Sequence, residues 1–320
     1  MLNNASILPM SGLPEGQGFP ATLVLGATGR LGSMLRRNWP SDWPVTWAAR
    51  EARAPDIVAC DPLALAPAAL LETIAEVDLV ICLAGSVPRR GDDDGAAMLD
   101  AHVALGRALA EAAAKVKTPL LIASSSAVYG GSGAGRRLRE SDPLPTHVSS
   151  YAAAKQAMEA AVLKAGGQAT CLRICNIAGA DALLEPFNDE AVLSLKETSP
   201  PCLDNFAESG RPRGPERCYL GPVSFARILA SLALRAAEQT RVRAQLPACL
   251  NVSGPGCVDM AALLAEAEIP FEWRPAGADS IARVELDVAS LGQHMTLSEN
   301  LSDPARIIAE WREYLAHRAP

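Results

Sequence analysis

The sequence predicts an α/β fold, a Rossmann-like doubly wound parallel sheet with a smaller C-terminal substrate lobe. Two observations predict it. Short apolar runs alternate with longer helical patterns as far as Cys175, which is typical of βαβ units. The first apolar run ends in a turn with glycines at every third position, Gly26, Gly29 and Gly32. Such a turn between a strand and a helix is typical of dinucleotide-binding domains.

Each element of the N-terminal part is predicted from its residue pattern. The short apolar runs are typical of buried parallel strands. One intervening helical segment has a proline at its first turn, where proline is tolerated, and another is rich in alanine. In chain order we predict strand Thr22–Leu25, helix Arg30–Asn38, strand Val45–Ala49, helix Pro67–Val77, strand Leu79–Leu83, helix Met98–Val116, strand Leu120–Ala123, helix Tyr151–Ala165 and strand Thr170–Cys175.

After Ile177 this alternation stops, and residues 180–216 are rich in Pro, Asp, Glu, Ser and Gly. Further helices are predicted over Pro222–Gln239, Asp259–Glu268 and Pro304–His317, with one more sheet strand over Ala248–Val252. We expect a disordered leader over 1–20, an NAD(P)-binding Rossmann domain over 21–179, and a substrate lobe over 180–320, interleaved with the last sheet strands at about 222–254. Ligands of such sheets bind beyond the carboxyl ends of the strands, so the lobe is placed to cover the site.

Composition limits the partners. The chain has 320 residues, of which 49% are hydrophobic and 4% aromatic, with a net charge of −7. This balance, with no long basic run, argues against nucleic acid or an anionic membrane surface as the main partner. No apolar run reaches about 18 residues, the length that a membrane span needs. Residues 1–20 lack the pattern of a signal peptide, and we expect a cytoplasmic protein.

The cysteines predict a reduced protein without a metal site. None of them forms a Cys-x-x-Cys pair, and several lie in apolar strand-like runs. We interpret them as reduced, buried small hydrophobic residues. They are Cys60, Cys82, Cys171, Cys175, Cys202, Cys218, Cys249 and Cys257.

The glycine turn is the first candidate site. The first glycine permits a tight turn, the second lets the backbone approach a pyrophosphate, and the third allows close packing of helix on strand. The helix N-terminus would add free N–H groups and a positive dipole end. The alternative is an ordinary glycine-rich turn. The predicted cofactor-binding residues of the turn are Gly26, Thr28, Gly29, Arg30, Leu31 and Gly32.

The choice of cofactor depends on the end of the second strand. An acidic residue there would bind the ribose 2′-hydroxyl of NAD, and an arginine would accommodate the 2′-phosphate of NADP. Arg50 occupies this place and Glu51 follows it, so we favour NADP, with NAD as the alternative if Glu51 binds the ribose. Arg30 is a second candidate phosphate partner. Asp61 could accept a hydrogen bond from the adenine amino group or cap the next helix.

Tyr151 and Lys155 are the candidate proton-transfer pair, because a spacing of four places them on one face of a helix. A free phenol has a pKa near 10 and is a poor base at pH 7. A neighbouring ammonium would lower that pKa, so Tyr151 could exchange a proton with a substrate oxygen during hydride transfer. Ser125 would hydrogen-bond and orient the same oxygen. The alternative is a half-buried tyrosine, a solvated lysine and a polar strand end.

These motifs resemble the extended short-chain dehydrogenase/reductases, the group that includes NAD-dependent epimerases and dehydratases of nucleotide sugars. The resemblance covers about residues 21–260. It rests on the glycine turn, on Ser-Ser-Ser-Ala-Val-Tyr-Gly over 124–130, on Tyr-x-x-x-Lys over 151–155, and on Leu-Arg-Ile-Cys-Asn-Ile-Ala-Gly over 172–179. It implies catalysis by Ser125, Tyr151 and Lys155. Tyr151 and Lys155 would also bind the cofactor, with Lys155 holding the nicotinamide ribose. The resemblance further implies a homodimer through the long middle helix and the Tyr151 helix. The segment Leu83, Ala84 and Gly85 would run along the cofactor, and Ser126, Asn176 and Arg217 would face the substrate.

The chain also departs from this family pattern. Family dehydratases resemble Thr-Asp-Glu at the catalytic hydroxyl, whereas this chain has Ser125, Ser126 and Ala127, which argues against 4,6-dehydration of a sugar. His102 stands where the family has an asparagine. It could relay protons toward Lys155 or be a hydrogen-bonded core residue.

Three arginines, Arg211, Arg213 and Arg217, cluster in the second lobe. They could clamp a substrate phosphate or belong to a solvated loop, and Arg217 is the best candidate because it begins a strand-like run.

The resulting hypothesis is an NAD(P)-dependent oxidoreductase or epimerase with a small-molecule, sugar-like substrate. One alternative is an NADPH-dependent ketone reductase that acts on a non-sugar substrate. Another is a non-catalytic sensor that binds NADP and signals through a partner. The complete set of Ser125, Tyr151 and Lys155 favours the enzyme.

Overall fold

A computed structural model describes residues 18–85, 95–131, 136–188, 200–207, 210–238, 245–278 and 280–317. Its strands are β1 Thr22–Leu25, β2 Val45–Ala49, β3 Ile57–Ala59, β4 Leu79–Cys82, β5 Leu120–Ser125, β6 Ala169–Ile174, β7 Asn176–Ile177, β8 Cys202–Asn205, β9 Glu216–Arg217, β10 Tyr219–Leu220, β11 Cys249–Val252, β12 Val258–Asp259, β13 Glu272–Pro275 and β14 Arg283–Val284. Its helices are α1 Arg30–Asn38, α2 Pro67–Ala75, α3 Gly95–Val116, α4 Ser150–Ala165, α5 Pro222–Glu238, α6 Met260–Glu266, α7 Ala289–Gly292 and α8 Pro304–Ala316.

Seven parallel strands form the central sheet in the order β11-β6-β5-β4-β1-β2-β3. Side chains of one strand alternate between its two faces. Val80 therefore packs in the cluster shared with α2, α3 and α4, whereas Leu79 and Ile81 pack in the cluster shared with α1 and α5. Helices cover both faces, so the predicted Rossmann-like doubly wound sheet is confirmed.

The predicted elements of the sheet are present, with some different bounds. The bounds of β1, α1 and β2 are as predicted, whereas α2 ends at Ala75 rather than Val77 and α3 begins at Gly95 rather than Met98. The short strand β3 was not predicted. Two of its three residues, Val58 and Ala59, are exposed, so it lacks the continuous apolar character that identifies a buried strand.

The C-terminal lobe is attached to the carboxyl end of β6. Cys175 donates its N–H to Val252 on β11, and the next residue, Asn176, donates to the carbonyl of Cys218 at 3.2 Å. From there β7 pairs with β10, β9 lies between β12 and β14, and β13 pairs with β8. The lobe thus begins where the parallel strands end, the edge at which such sheets bind ligands.

Residues 1–17 of the predicted leader lie outside the described residues. Phe19 stacks on Trp43 with ring centroids 4.6 Å apart, and the carbonyl of Pro20 accepts a hydrogen bond from Trp43 Nε1 at 2.8 Å. The residues that immediately precede β1 are therefore packed against the domain.

All eight cysteines are free thiols. The prediction that they are buried is wrong for Cys202, which is exposed. It begins β8, which among the described strands pairs with the exposed β13 alone. No helix in the described ranges is both long and apolar enough to cross a membrane. Within the same ranges, no three His, Cys, Asp or Glu side chains are grouped as a metal site.

Candidate active site

The turn between β1 and α1 requires its glycines. Gly26 has φ +91°, a conformation that other residues rarely adopt, and a Cβ there would lie 2.6 Å from the backbone N of Ala84. A Cβ on Gly32 would lie 2.1 Å from the carbonyl oxygen of Gly26. The first turn of α1 therefore packs closely against the ends of β1 and β4.

The N-terminus of α1 suits an anion. Its N-cap residue is Gly29, no side chain in the described part of the chain caps it, and its first turn carries no acidic residue. Its free N–H groups and dipole favour negative charge. Arg30, the first residue of α1, forms an exposed ion pair with Glu185 at 3.3 Å and donates to the carbonyl of Ala180 at 3.4 Å. It therefore joins the glycine turn to the C-terminal lobe.

A cleft of about 300 Å³ opens beside this turn. Eight predicted cofactor-binding residues line it: Gly26, Thr28, Gly29, Arg50, Asp61, Leu83, Ala84 and Gly85. Of the other predicted cofactor-binding residues, Leu31 packs against the hydrophobic core and Gly32 against the carbonyl of Gly26. Arg30, Tyr151 and Lys155 are not among the residues that line the cleft. Sequence reasoning missed further lining residues from the ends of β2 and β3 and from α3, namely Ala49, Cys60, Pro62, Leu63, Ala101 and Leu105. Recognising Ile57–Ala59 as a strand would have placed the residues after it at the same sheet edge.

Arg50 and Glu51 have different surroundings. Arg50 is exposed and lines the cleft. The carboxylate of Glu51 accepts hydrogen bonds from Arg53 at 3.2 and 3.0 Å. Asp61 lines the cleft and accepts a hydrogen bond from the N–H of Leu63 at 3.1 Å. It does not cap α2, whose N-cap is Ala66.

Ser125, at the end of β5, lies near enough to Tyr151, in the first turn of α4, to lower the pKa of the phenol. Ser149 caps α4 by accepting a hydrogen bond from the N–H of Ala152, which fixes the first turn that carries Tyr151. Ser125 ends β5 and accepts a hydrogen bond from the N–H of Ala127 at 3.2 Å. The backbone at Tyr151 and at Ser125 is thus fixed by a hydrogen bond at the start of a helical turn.

Burial raises the pKa of Tyr151, and the nearby Ser125 side chain offsets only part of this rise. The expectation that Lys155 lowers the pKa of this tyrosine below its ordinary value is therefore wrong for the protein alone. The loss of hydration disfavours the phenolate more than its surroundings favour it. The ammonium nitrogen of Lys155 lies 6.0 Å from the centroid of the Tyr151 ring.

Lys155 is buried and donates a hydrogen bond to the carbonyl of Ala123 at 2.9 Å. Burial lowers its pKa to about 8, although Cys82, Cys171 and Glu159 act in the opposite direction. The lysine can therefore change its charge in the range where a weakly basic enzyme works.

His102 lies in the same centre. It is buried on α3, and its ring centroid lies 6.3 Å from that of Tyr151. A Cβ on Gly85 would lie 2.7 Å from His102 Cε1 and 3.3 Å from Lys155 Nζ. The imidazole of His102 and the ammonium of Lys155 therefore both lie next to the backbone of Gly85. A proton-relay role for His102 stays a prediction.

A buried polar network lies behind this centre and was not predicted. Glu159 follows Lys155 by one helical turn and pairs with Arg173 at 2.8 Å. It also accepts a hydrogen bond from the Ser124 hydroxyl at 2.5 Å. Arg173 donates to the Tyr129 hydroxyl at 2.8 Å. The spacing of four between Lys155 and Glu159 could have indicated that Glu159 lies on the same helix face. The other members of the network come together only through the order of strands in the sheet.

The predicted substrate residues Ser126, Asn176 and Arg217 are not among those that line the cleft. Arg217 is half-buried, and its guanidinium donates to the carbonyls of Ile281 at 2.7 Å, Ala282 at 3.4 Å and Glu216 at 2.8 Å. It therefore ties β9 to the segment before β14. Arg211 and Arg213 are exposed, and Arg213 pairs with Glu216 at 2.7 Å.

Comparison with known proteins supports this description. A sequence model described as "NAD dependent epimerase/dehydratase family" matches residues 22–195. No curated protein matches the chain.

Among solved structures, an NAD-dependent NDP-hexosamine 5,6-dehydratase involved in tunicamycin biosynthesis is similar, with a TM-score of 0.71 and 17% identity over 93% of this chain and 98% of that chain. The UDP-glucose 4-epimerase of Stenotrophomonas maltophila, with bound NAD and formylated UDP-arabinopyranose, has a TM-score of 0.72 and 17% identity over 94% of this chain and 100% of that chain. The UDP-glucose 4-epimerase of Thermus thermophilus, in complex with NAD, has a TM-score of 0.67 and 20% identity over 91% of this chain and 98% of that chain. At these identities the likeness shows a common fold.

Proposed function

The chain belongs to the NAD dependent epimerase/dehydratase family of enzymes, whose sequence model covers more than half of it, and on this premise we propose that it is a nicotinamide-dependent epimerase or oxidoreductase of nucleotide sugars. The reacting group is a carbonyl/alcohol pair of the sugar. Tyr151 is the acid/base, Ser125 orients the substrate oxygen, and Lys155 holds the nicotinamide ribose and supplies positive charge.

One observation carries this proposal. The Tyr151 phenol lies near enough to Ser125 for this serine to act on its pKa, and the buried Lys155 lies 6.0 Å from the centre of the phenol ring and is fixed by the carbonyl of Ala123. A substrate oxygen that approaches the pair can accept a hydrogen bond from the serine and exchange a proton with the tyrosine. The raised pKa of Tyr151 keeps the phenol protonated at rest, which suits proton donation to a carbonyl oxygen.

The cleft fits a nicotinamide dinucleotide, which accepts and returns hydride when it is bound. A Cβ on Gly26 or Gly32 would collide with backbone, so these positions keep the turn tight. The N-terminus of α1 has neither a capping side chain nor an acid in its first turn. The turn and the helix end suit a pyrophosphate.

We favour NADP over NAD. Arg50 lines the cleft, whereas the carboxylate of Glu51 is engaged by Arg53. A guanidinium at this place suits a 2′-phosphate, and the carboxylate that NAD requires for its ribose 2′-hydroxyl is held elsewhere. The two epimerases described above were solved with NAD, so the alternative cofactor has structural precedent in this fold.

The nucleotide-sugar substrate is supported by the family and by its structural neighbours. Their substrates and ligands include an NDP-hexosamine and a formylated UDP-arabinopyranose. Epimerisation or simple oxidoreduction is favoured over 4,6-dehydration, because Ser126 and Ala127 follow Ser125 where loss of water would require an acid pair.

The test is a Tyr151→Phe variant. NADPH and NADH binding would be followed by the fluorescence of the reduced nicotinamide, and turnover by cofactor oxidation state and sugar analysis with UDP-glucose and UDP-N-acetylglucosamine. We expect unchanged cofactor affinity and a loss of turnover of about 10²–10⁴-fold, the range for a lost general acid/base. Tyr314→Phe on α8, whose ring stacks with Arg37, is the matched control. Turnover by Tyr151→Phe at the control rate would refute the proposal.

A further inference from the structure

Two thiols face each other in the C-terminal lobe. Strands β9 and β12 are antiparallel, with Val258 opposite Arg217. The next residues in this register are Cys257 and Cys218, whose sulfur atoms lie 3.8 Å apart. Cys218 is buried and Cys257 is half-buried, so the pair can be reached from the side of Cys257.

The register also fixes the kind of pair that the two cysteines form. Met260 donates its N–H to the carbonyl of Pro215, its opposite residue, at 2.9 Å. Hydrogen-bonded and non-hydrogen-bonded pairs alternate along an antiparallel ladder, so Cys218 and Cys257 continue it as a non-hydrogen-bonded pair. In such pairs the Cα atoms are about 4.5 Å apart, which is within the range of about 4.4–6.8 Å that a disulfide needs.

The hydrogen bond between the two sulfur atoms shifts the pKa values of the two thiols in opposite directions. Hydrogen bonding to Cys257 lowers the pKa of Cys218, and the same hydrogen bond raises the pKa of Cys257. The N–H of Leu286 also donates to the Cys218 sulfur at 3.2 Å. Cys218 is thus the sulfur that loses its proton more readily; as a thiol it donates to the carbonyl of Gly256 at 3.2 Å.

We propose that Cys218 and Cys257 are a redox modification site, at which a hydroperoxide oxidises the two thiols to a disulfide. This inference is independent of the proposed function, because neither cysteine touches the cofactor cleft as described above and the reaction needs no substrate.

The reaction balances with hydrogen peroxide as the oxidant. The Cys218 thiolate attacks one peroxide oxygen, so that an S–O bond forms, the O–O bond breaks, and hydroxide leaves and takes a proton from solvent. The Cys257 sulfur then attacks the Cys218 sulfur. The S–S bond forms, the S–O bond breaks, and the oxygen leaves as water with the Cys257 proton. Two sulfur atoms lose two electrons, and one peroxide is reduced to two waters.

A second thiol pair provides an internal comparison. Cys171 and Cys249 lie opposite each other on the parallel strands β6 and β11. Cys171 is completely buried within the central sheet, so a disulfide there would have to form inside the packed core. Both pairs combine a buried thiol with a half-buried one. The lobe pair, however, adjoins a ladder of two-residue strands rather than the seven-stranded sheet, and we expect it to react first.

The cross-link would restrain the lobe next to candidate substrate residues. Arg217 directly precedes Cys218, and the N–H of Asn176 donates to the Cys218 carbonyl at 3.2 Å. A disulfide would also close the chain from 218 to 257 and reduce the freedom of the unfolded state. We therefore expect the oxidised protein to melt at a temperature higher by on the order of 5 °C.

The experiment treats the full chain with hydrogen peroxide and maps the cysteines by tandem mass spectrometry without reduction. Trypsin places Cys218 in peptide 218–227, whereas Cys257 shares peptide 244–283 with Cys249, so fragmentation must identify the linked sulfur. We expect a Cys218–Cys257 link, a mass lower by two hydrogen atoms, and reversal by dithiothreitol.

Cys257→Ser and Cys218→Ala should each abolish the link and the rise in melting temperature. If the variant at the buried Cys218 folds poorly, the variant at the half-buried Cys257 still tests the proposal. Cys202→Ser, at the exposed cysteine, is the control and should leave both unchanged. Two free thiols after peroxide treatment, or Cys218 linked to Cys175 or Cys249, would overturn the proposal. Either result would leave the proposed enzymatic function intact.

Discussion

The carboxylate of Glu159 forms an ion pair with the guanidinium of Arg173 at 2.8 Å, with side chains only 3% and 5% exposed. Glu159 lies one helical turn after Lys155, and Arg173 lies on the neighbouring strand β6. The pair thus joins helix α4, which carries Tyr151 and Lys155, to the central sheet.

Glu159→Gln should destabilise the protein strongly. The substitution leaves the Arg173 guanidinium buried without its counter-charge, and removal of one partner from a buried pair costs about 3–5 kcal/mol. The free energy of unfolding in urea measures this. Glu238→Gln breaks the surface pair of Glu238 with Arg235 at 3.2 Å and should change it by at most about 1 kcal/mol. Equal changes in the free energy of unfolding for the two variants would contradict this prediction, because the buried pair would then stabilise the protein no more than the surface pair.

Lys155→Met should change how stability depends on pH. The pKa of Lys155 is about 8 in the folded protein, below its ordinary value of 10.5. Below pH 8 the lysine is charged in both states, and the full cost of burying the ammonium is present. Between pH 8 and 10.5 the unfolded state binds more protons than the folded state, so stability rises with pH.

Removing the amine should abolish this rise, which amounts to at most about 3 kcal/mol. The measurement is the free energy of unfolding at several pH values from 7 to 10.5, taken as the difference between the wild type and the variant. Lys164→Met, at an exposed position of the same helix, should give a difference that is flat with pH. A flat difference for Lys155→Met would contradict the lowered pKa.

The sequence alone predicts those elements that are determined by local residue patterns. The bounds of β1, α1 and β2 follow from apolar runs and from the glycine turn, and the structure reproduces them. The position of the cleft beside the glycine turn also follows, because strand ends in a parallel sheet meet at one edge. Eight of the predicted residues line it.

Features that depend on the sheet order could not be predicted. Ser124, Arg173 and Asn251 lie on β5, β6 and β11, which are neighbours in the sheet but far apart in the chain. Asn251 joins the buried network by accepting a hydrogen bond from the Tyr129 hydroxyl at 2.8 Å, and no local pattern identifies these contacts. Likewise, the direction of the Tyr151 pKa shift reflects how completely the phenol is buried, a property of packing rather than of spacing along a helix.

Gly85→Ala should impair catalysis while the fold is kept. The added Cβ would lie 2.7 Å from His102 Cε1 and 3.3 Å from Lys155 Nζ, so both side chains must move. A displacement of about 1 Å can cost about 10²-fold in rate, and we expect a loss of that order in steady-state turnover. At Gly292 an added Cβ meets open space, so Gly292→Ala is the control. Full turnover by Gly85→Ala would mean that the positions of His102 and Lys155 do not limit the reaction.

Arg50→Ala should separate the two cofactors. If the guanidinium binds the 2′-phosphate, its removal deletes a hydrogen bond between charged groups worth about 1.5–3 kcal/mol. The Kd of NADPH should then rise about 10–100-fold, whereas the Kd of NADH, which lacks that phosphate, should change little. Arg53→Ala is the matched control, because this exposed arginine pairs with Glu51 and is not among the residues that line the cleft. It frees the Glu51 carboxylate and should leave NADPH binding unchanged. An equal loss of both cofactors in Arg50→Ala, or a wild-type protein that binds NADH more tightly, would assign the ribose site to NAD.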